Sequence, residues 1–178
     1  MIRGALKNDY ALNFASKGYA VIVGVLSSAV LTRYLGLDLR GDYAFILQVS
    51  TIGVLVLDMG LSQTYSFFYR KYDGDILARS LNVYALQFFL YMVTSFSLAI
   101  VVGSSLYAFA LMLIPFGVAR KQMESAMAVE DIRLKIKLHM WATGFSAVAF
   151  GAWFLFADIL GKNLLFPVLV IVTVHIVT

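Results

Sequence analysis

Apolar segments of about the length of a bilayer crossing follow one another along almost the whole chain. A helix needs about 20 apolar residues to cross the hydrocarbon core of a membrane. The segments occupy about residues 11–35, 43–68, 81–102, 105–129, 138–157 and 164–178. With 61% hydrophobic and 13% charged residues, the chain is also too apolar for a soluble domain, whose surface must be wetted. The pattern predicts an all-α fold, a polytopic bundle of about six transmembrane helices that forms a single domain over residues 1–178.

Basic residues are concentrated in three places, the N-terminal segment, residues 70–79 and residues 120–137. Lys and Arg accumulate in the cytoplasmic loops of membrane proteins, so this alternation predicts a cytoplasmic N-terminus. For the same reason we interpret the surplus of 14 Lys and Arg over 10 Asp and Glu as a topology signal and expect no nucleic acid as a partner.

The types of residue and the loop lengths exclude several kinds of chemistry. The chain has no cysteine, which excludes disulfides, thiolate catalysis and cysteine-based metal sites. Every loop is short, which leaves no room for the paired carboxylates or the metal site of a membrane glycosyltransferase or polymerase. We therefore predict that the chain is not an enzyme and holds no metal.

The second apolar segment carries one carboxylate, Asp58, far from either of its ends. A charge at that depth costs at least a few kcal/mol, so the residue must face the bundle interior, meet a cation or be protonated. Ser62 and Ser66 follow at helical spacing on the same face. Two interpretations stay open, a coupling group for H⁺ or Na⁺ and a structural hydrogen bond to a neighbouring helix end.

Polar side chains also interrupt the first and third segments. Lys17 either extends back to the lipid headgroups or lines a cavity. Tyr84, Gln87 and Tyr91 form a stripe at spacings of three or four, which either hydrogen-bonds another helix or lines a wet cavity, and we favour the cavity.

The fourth segment allows two structures. Residues 106–118 are apolar but too few to cross a bilayer alone. Either the helix ends near Ala119 and an interfacial stretch follows, with Arg120 and Lys121 on a solvated face, or it continues to about Val129. We favour continuation, in which Pro115 kinks the helix and Arg120 pairs with Glu124 at i,i+4.

Three motifs between residues 31 and 62 resemble the opening of the polysaccharide flippases, the O-antigen and oligosaccharide exporters of the multidrug/oligosaccharidyl-lipid/polysaccharide superfamily. They are Leu-Thr-Arg-Tyr-Leu-Gly at 31–36, Gly-Asp-Tyr-Ala at 41–44 and Leu-Asp-Met-Gly-Leu-Ser at 57–62. The basic stretch at 133–137 is similar to the turn between the family's fourth and fifth helices.

The resemblance implies a two-lobed transporter of which this chain is the N-terminal lobe. The expected substrate is undecaprenyl-pyrophosphate-linked oligosaccharide, moved to the periplasmic leaflet of the bacterial inner membrane during polysaccharide and lipopolysaccharide biosynthesis. Other expected partners are membrane lipids and polysaccharide polymerase components. No cofactor is expected beyond coupling to H⁺ or Na⁺. The sixth segment stops at Thr178, short of a full crossing, so we expect a longer chain.

The candidate site residues follow from this implied substrate. A pyrophosphate needs cations that face a wet cavity, and the sugar needs hydroxyl, amide and aromatic groups. The substrate-binding candidates are Lys17, Arg33, Arg120, Lys121, Tyr84, Gln87 and Tyr91, with Arg33 nearer the periplasmic mouth. The coupling or counter-ion candidates are Asp58 and Glu124.

Alternatives remain in the same superfamily and outside it. A lipid II flippase or a cation-coupled drug antiporter fits the same architecture, although the antiporter needs more acidic residues within the membrane than Asp58 alone. A membrane scaffold that transports nothing is a third possibility, against which the intramembrane charges argue because they cost stability.

Overall fold

The computed structural model describes residues 2–71, 76–160, 167–170 and 172–173, and only the backbone of residues 2–9, 34 and 153–160. Its helices are α1 (Ile2–Asp58), α2 (Leu61–Lys71), α3 (Ile76–Val102), α4 (Ser105–Glu130) and α5 (Ile132–Leu160). The described residues contain no strand, and α1 is two helices that meet at a kink at Gly36. The predicted all-α fold of about six helices is therefore confirmed.

Three stretches of the described residues are long and apolar enough to cross a membrane. They are Tyr10–Arg33, Leu35–Lys71 and Ile76–Val102, which correspond to the first three predicted spans. α4 is not among them, because its second half carries Arg120, Lys121 and Glu124. The predicted sixth span, residues 164–178, lies mostly outside the described residues.

The predicted boundary between the first two spans is wrong. We expected a polar loop after residue 35 and a helix from residue 43. Instead, Gly36 is the one non-helical residue inside α1, and the backbone on both sides of it is helical. Gly36 has φ 73° and ψ −178°, a conformation that a residue without Cβ adopts at little cost. Leu37 and Leu39 continue the helix in place of a loop.

The predicted second span, residues 43–68, is also wrong in being continuous. α1 ends at Asp58 and α2 begins at Leu61, with Met59 at φ 48° and Gly60 at φ 75° between them. The new helix starts with a turn in which Gln63 N donates to Gly60 O at 2.9 Å. We call this interruption, residues 57–61, the helix break.

The predicted continuation of the fourth helix is confirmed. α4 runs from Ser105 to Glu130 through both Pro115 and Arg120, and the alternative that ends near Ala119 is wrong. Pro115 removes one backbone donor from the ladder but does not end the helix.

Contacts divide the chain into two compact units, residues 1–40 with 131–178 and residues 41–130. Within the second unit, α3 packs on α4, and α2 packs on both. Lys17 and Arg33 belong to the first unit, and the other candidate site residues belong to the second. The single domain expected over residues 1–178 stays a prediction.

Within the 41–130 unit, α1 and α4 touch at two glycines. A Cβ at Gly53 would lie 2.4 Å from Ile114 Cδ1, and a Cβ at Gly117 would lie 2.4 Å from Val54 Cγ2. Each helix therefore inserts a branched side chain into a space that the other leaves empty, as small residues allow between membrane helices.

Candidate functional site

Asp58 is the last residue of α1 and is buried, with 1% of its surface exposed. Its Oδ2 lies 2.9 Å from Lys121 Nζ and accepts a hydrogen bond from Ser62 Oγ at 2.7 Å. Its Oδ1 accepts a longer bond from Ser62 N at 3.3 Å. Because the first N–H groups of a helix lack internal partners, Asp58 acts as a cap of α2 as well as the counter-ion of Lys121.

The carbonyl groups at the helix break find partners on α3. Leu57 O accepts hydrogen bonds from Tyr91 OH at 2.8 Å and from Gln87 Nε2 at 3.3 Å. Leu61 O accepts Thr64 Oγ1 at 2.7 Å and a long bond from Tyr84 OH at 3.5 Å. Of the two interpretations of this stripe, the structure supports hydrogen bonding to another helix over the lining of a cavity.

Gln122 joins α4 to the same network. Its side chain is buried, and its Nε2 donates to Gln87 Oε1 at 2.7 Å. Gln87 Nε2 is in turn 3.0 Å from Tyr91 OH. A continuous series of hydrogen bonds therefore leads from α4 through α3 to the carbonyl group of Leu57.

Two further contacts attach α2 to the last turns of α4. Ser125 Oγ donates to Ser62 O, and Tyr65 OH donates to Glu130 Oε1. Tyr65 is buried and stacks on Tyr69, with ring centroids 6.1 Å apart. α2 is thus held to α4 from its first residues to its middle.

Contacts between the interrupted span and α4 repeat every four residues on both partners. Val54 meets Gly117, Asp58 meets Lys121, and Ser62 meets Ser125. The partner on α4 lies 63 positions later in each case. Because both members advance together along the chain, the two spans run parallel, and the register is the same on either side of the helix break.

The remaining cation of the site is paired within its own helix. Arg120 Nε lies 2.7 Å from Glu124 Oε1, the predicted i,i+4 pair. Both side chains are partly exposed, so this pair contributes at most a few tenths of a kcal/mol to stability. Lys121 is also partly exposed, with 37% of its side chain accessible, although its partner carboxylate is buried.

The structure thus brings together five of the nine candidate residues at the helix break, in two groups. Asp58 and Lys121 are in direct contact, while Tyr84, Gln87 and Tyr91 bond the broken backbone. Arg120 and Glu124 lie beside them on α4. Lys17 and Arg33, both exposed, lie in the other unit, and their expected roles in binding stay predictions.

Sequence reasoning missed four members of the network, namely Gln122, Ser125, Tyr65 and Glu130. For Gln122 a signal was present, because the apolar residues Pro115, Val118 and Ala126 lie at helical spacing on the same face. A glutamine on such a face needs a polar partner. Its position between Lys121 and Met123 in a charged stretch concealed this.

The helix break places two opposite charges beside the N-terminus of α2. A partly exposed ammonium group shares a buried carboxylate with a hydroxyl and a helix N-terminus, so an external anion or cation could compete for either charge. Among the described residues, no cluster of His, Asp and Glu is able to hold a metal ion.

Comparison of the chain with models of protein families, with curated proteins and with solved structures finds no match.

Proposed function

We propose that this chain is part of a membrane transporter that flips undecaprenyl-pyrophosphate-linked oligosaccharide to the periplasmic leaflet. One observation carries the proposal: a partly exposed lysine is held by a buried carboxylate at a break in an apolar helix. Intramembrane charges are expensive and usually mark a substrate or ion pathway. Discontinuous helices form the substrate sites of many transporters.

Lys121 is the principal contact for the pyrophosphate in this proposal. With an empty site, Asp58 neutralises Lys121 and so lowers the cost of keeping the cation within the bundle. A pyrophosphate offers more oxygen acceptors than one carboxylate, so its arrival draws Lys121 toward the substrate and leaves Asp58 bonded to Ser62. Arg120, which is paired with Glu124 one turn later in α4, adds a second cation.

The finer parts of the proposal rest on the pattern of basic residues, for the N-terminus, and otherwise on the sequence resemblance. They are an N-terminus in the cytoplasm, the bacterial inner membrane, Lys17 and Arg33 as further phosphate contacts, and coupling through Asp58 to H⁺ or Na⁺. Tyr84, Gln87 and Tyr91 bind the sugar only if they exchange their present backbone partners for it.

A cation-coupled drug antiporter is less well supported by the site. A cation that used Asp58 would first have to displace Lys121 at 2.9 Å, and no second buried acidic residue is described. A flippase for a different lipid pyrophosphate, such as lipid II, would use the same ion pair and would differ in its contacts to the sugar.

The test measures translocation directly. The protein is purified from its own membrane and reconstituted in vesicles that contain fluorescent lipid-linked oligosaccharide, and an external glycosidase reports which leaflet holds the sugar. We expect Lys121→Gln to reduce the rate of translocation at least tenfold and Lys121→Arg to retain part of it. Arg79→Gln, which removes an exposed cation of α3, should leave the rate unchanged.

Two outcomes would overturn the proposal. A wild-type protein that moves no lipid-linked sugar would favour the scaffold interpretation. A Lys121→Gln variant that transports at the wild-type rate would show that the ion pair is structural.

A further inference from the structure

A shallow apolar groove lies in the unit formed by residues 1–40 and 131–178. Tyr19 of α1 forms one side, and Trp141, Phe145 and Val148 of α5 are among the residues that form the other. Gly144 is part of its floor, and a Cβ there would lie 3.3 Å from Tyr19 OH. The glycine thus lets the tyrosine approach α5 closely.

The groove continues a basic face of the same helix. Arg133, Lys137 and Trp141 follow at steps of four, and Phe145 and Val148 extend the line, so all five share one face of α5. All five are exposed, Trp141 by 76% and Val148 by 72%. We call this face, with Tyr19, the α5 surface.

The basic end of the α5 surface is built on an ordered helix start. Asp131 Oδ1 accepts hydrogen bonds from Arg133 N at 2.9 Å and from Leu134 N at 3.0 Å, which caps α5. The first turns therefore hold the backbone of Arg133 and Lys137 in helical positions.

We propose that the α5 surface binds an anionic phospholipid of the surrounding bilayer, with its phosphate at Lys137 and Arg133 and one acyl chain in the groove. The distances fit this occupant. Lys137 and Val148 are eleven residues apart, which is about 16 Å along a helix. One leaflet of the hydrocarbon core is about 15 Å thick, so a headgroup at Lys137 places the chain along the groove.

Charge selects the anionic lipid among those with similar tails. A basic residue near the membrane surface contributes about 1 kcal/mol of attraction for anionic lipid, which corresponds to about a fivefold enrichment. An aromatic ring at the end of the groove nearest the cations, as Trp141 provides, is typical of the level where headgroups meet acyl chains.

The chain offers its own reporter for a test. It has two tryptophans, so Trp153→Phe leaves Trp141 as the only one. The protein is placed in nanodiscs in which a minor fraction of the lipid carries brominated acyl chains, either phosphatidylglycerol or phosphatidylcholine. Bromine quenches tryptophan on contact, so quenching of Trp141 reports which lipid occupies the groove.

We expect brominated phosphatidylglycerol to quench Trp141 at about a fivefold lower mole fraction than brominated phosphatidylcholine. Lys137→Gln should abolish most of this difference, and Arg79→Gln, the removal of an exposed cation on α3, should preserve it. Circular dichroism of each variant checks that the helices remain.

Two results would overturn the proposal. Equal quenching by both lipids would mean that the surface contacts bulk lipid without selection. Protection of Trp141 from both lipids would mean that a protein segment or a second copy covers the groove.

Discussion

The helix break after Asp58 and the uninterrupted helix through Pro115 lie in the same unit, and both lose backbone hydrogen bonds. At Pro115 the loss is one donor, and α4 continues on both sides. At the helix break several groups are freed together, and side chains of α3, α4 and α2 itself supply partners for them.

The difference shows what a break within a membrane requires. Hydrocarbon offers no hydrogen bonds, so freed backbone groups must be satisfied inside the protein. A proline leaves one carbonyl group without its usual donor. The helix break persists because Tyr91, Gln87 and Ser125 come from other helices to meet it. Polar side chains that surround an interruption therefore indicate a functional site better than the interrupting residue does.

Removal of the carboxylate should have the largest effect. Asp58→Ala leaves Lys121 without its partner and uncaps α2, which we expect to destabilise the protein by about 2–3 kcal/mol, at the lower end because Lys121 is partly exposed. Thermal unfolding in detergent, followed by circular dichroism, measures this. The double variant with Lys121→Gln should recover at least 1 kcal/mol. Strictly additive losses would show that the pair does not interact.

Loss of the link between α4 and α3 should come next. Gln122→Leu leaves Gln87 Oε1 without its donor in a half-buried position, at an expected cost of about 1–3 kcal/mol. Gln63→Leu, at an exposed position of α2, is the matched control and should change the unfolding temperature little. If both variants behave alike, the buried network does not support the helix break.

A side chain at the break itself should cost about 1–2 kcal/mol. Gly60 has φ 75°, and a Cβ in this left-handed conformation meets the following carbonyl group. We expect Gly60→Ala to lower the denaturation midpoint. Gly18 has an ordinary helical backbone, and a Cβ there would have no neighbour within 4 Å. Gly18→Ala should therefore leave the denaturation midpoint unchanged or raise it. A neutral Gly60→Ala would indicate that α1 and α2 can join into one helix.

Removal of one hydroxyl should give the smallest effect. Tyr91→Phe leaves Leu57 O with Gln87 Nε2 as its side-chain donor, at 3.3 Å, and should cost about 1 kcal/mol. Hydrogen exchange of the amides at residues 59–62 should rise more than exchange in α4. Tyr107→Phe is the control, because its exposed ring keeps its contact with Phe45. No local increase in exchange would mean that Tyr91 does not hold the break.

The hydrophobic pattern predicted the helical class and the first three spans, because each depends on residues averaged over a long window. The continuation of α4 was predicted from the apolar residues that follow its charged stretch. It could not predict the helix break. Asp58 and Gly60 stand in a run that is otherwise apolar, and a continuous helix is locally acceptable there. The interruption depends on Tyr91 and Gln87, which reach it only when α3 packs beside it.

The candidate site was predicted in part for a similar reason. Asp58 was identified from the cost of charge in a membrane and Lys121 from the needs of the implied pyrophosphate, but nothing in their spacing along the chain paired them. Arg120 and Glu124 could be paired, because one helix brings them together. Gln122 was missed, since its burial depends on which face of α4 meets α3.

The four-residue register between the interrupted span and α4 bears on how the protein is made. α4 is not apolar enough to cross a membrane alone, and its charged middle would make its insertion as an isolated segment unfavourable. Asp58 and the glycine contacts give it a partner that is synthesised earlier. We therefore expect α4 to enter the bilayer only after the preceding spans. Its insertion into the membrane and its packing against α1 would then occur in the same step.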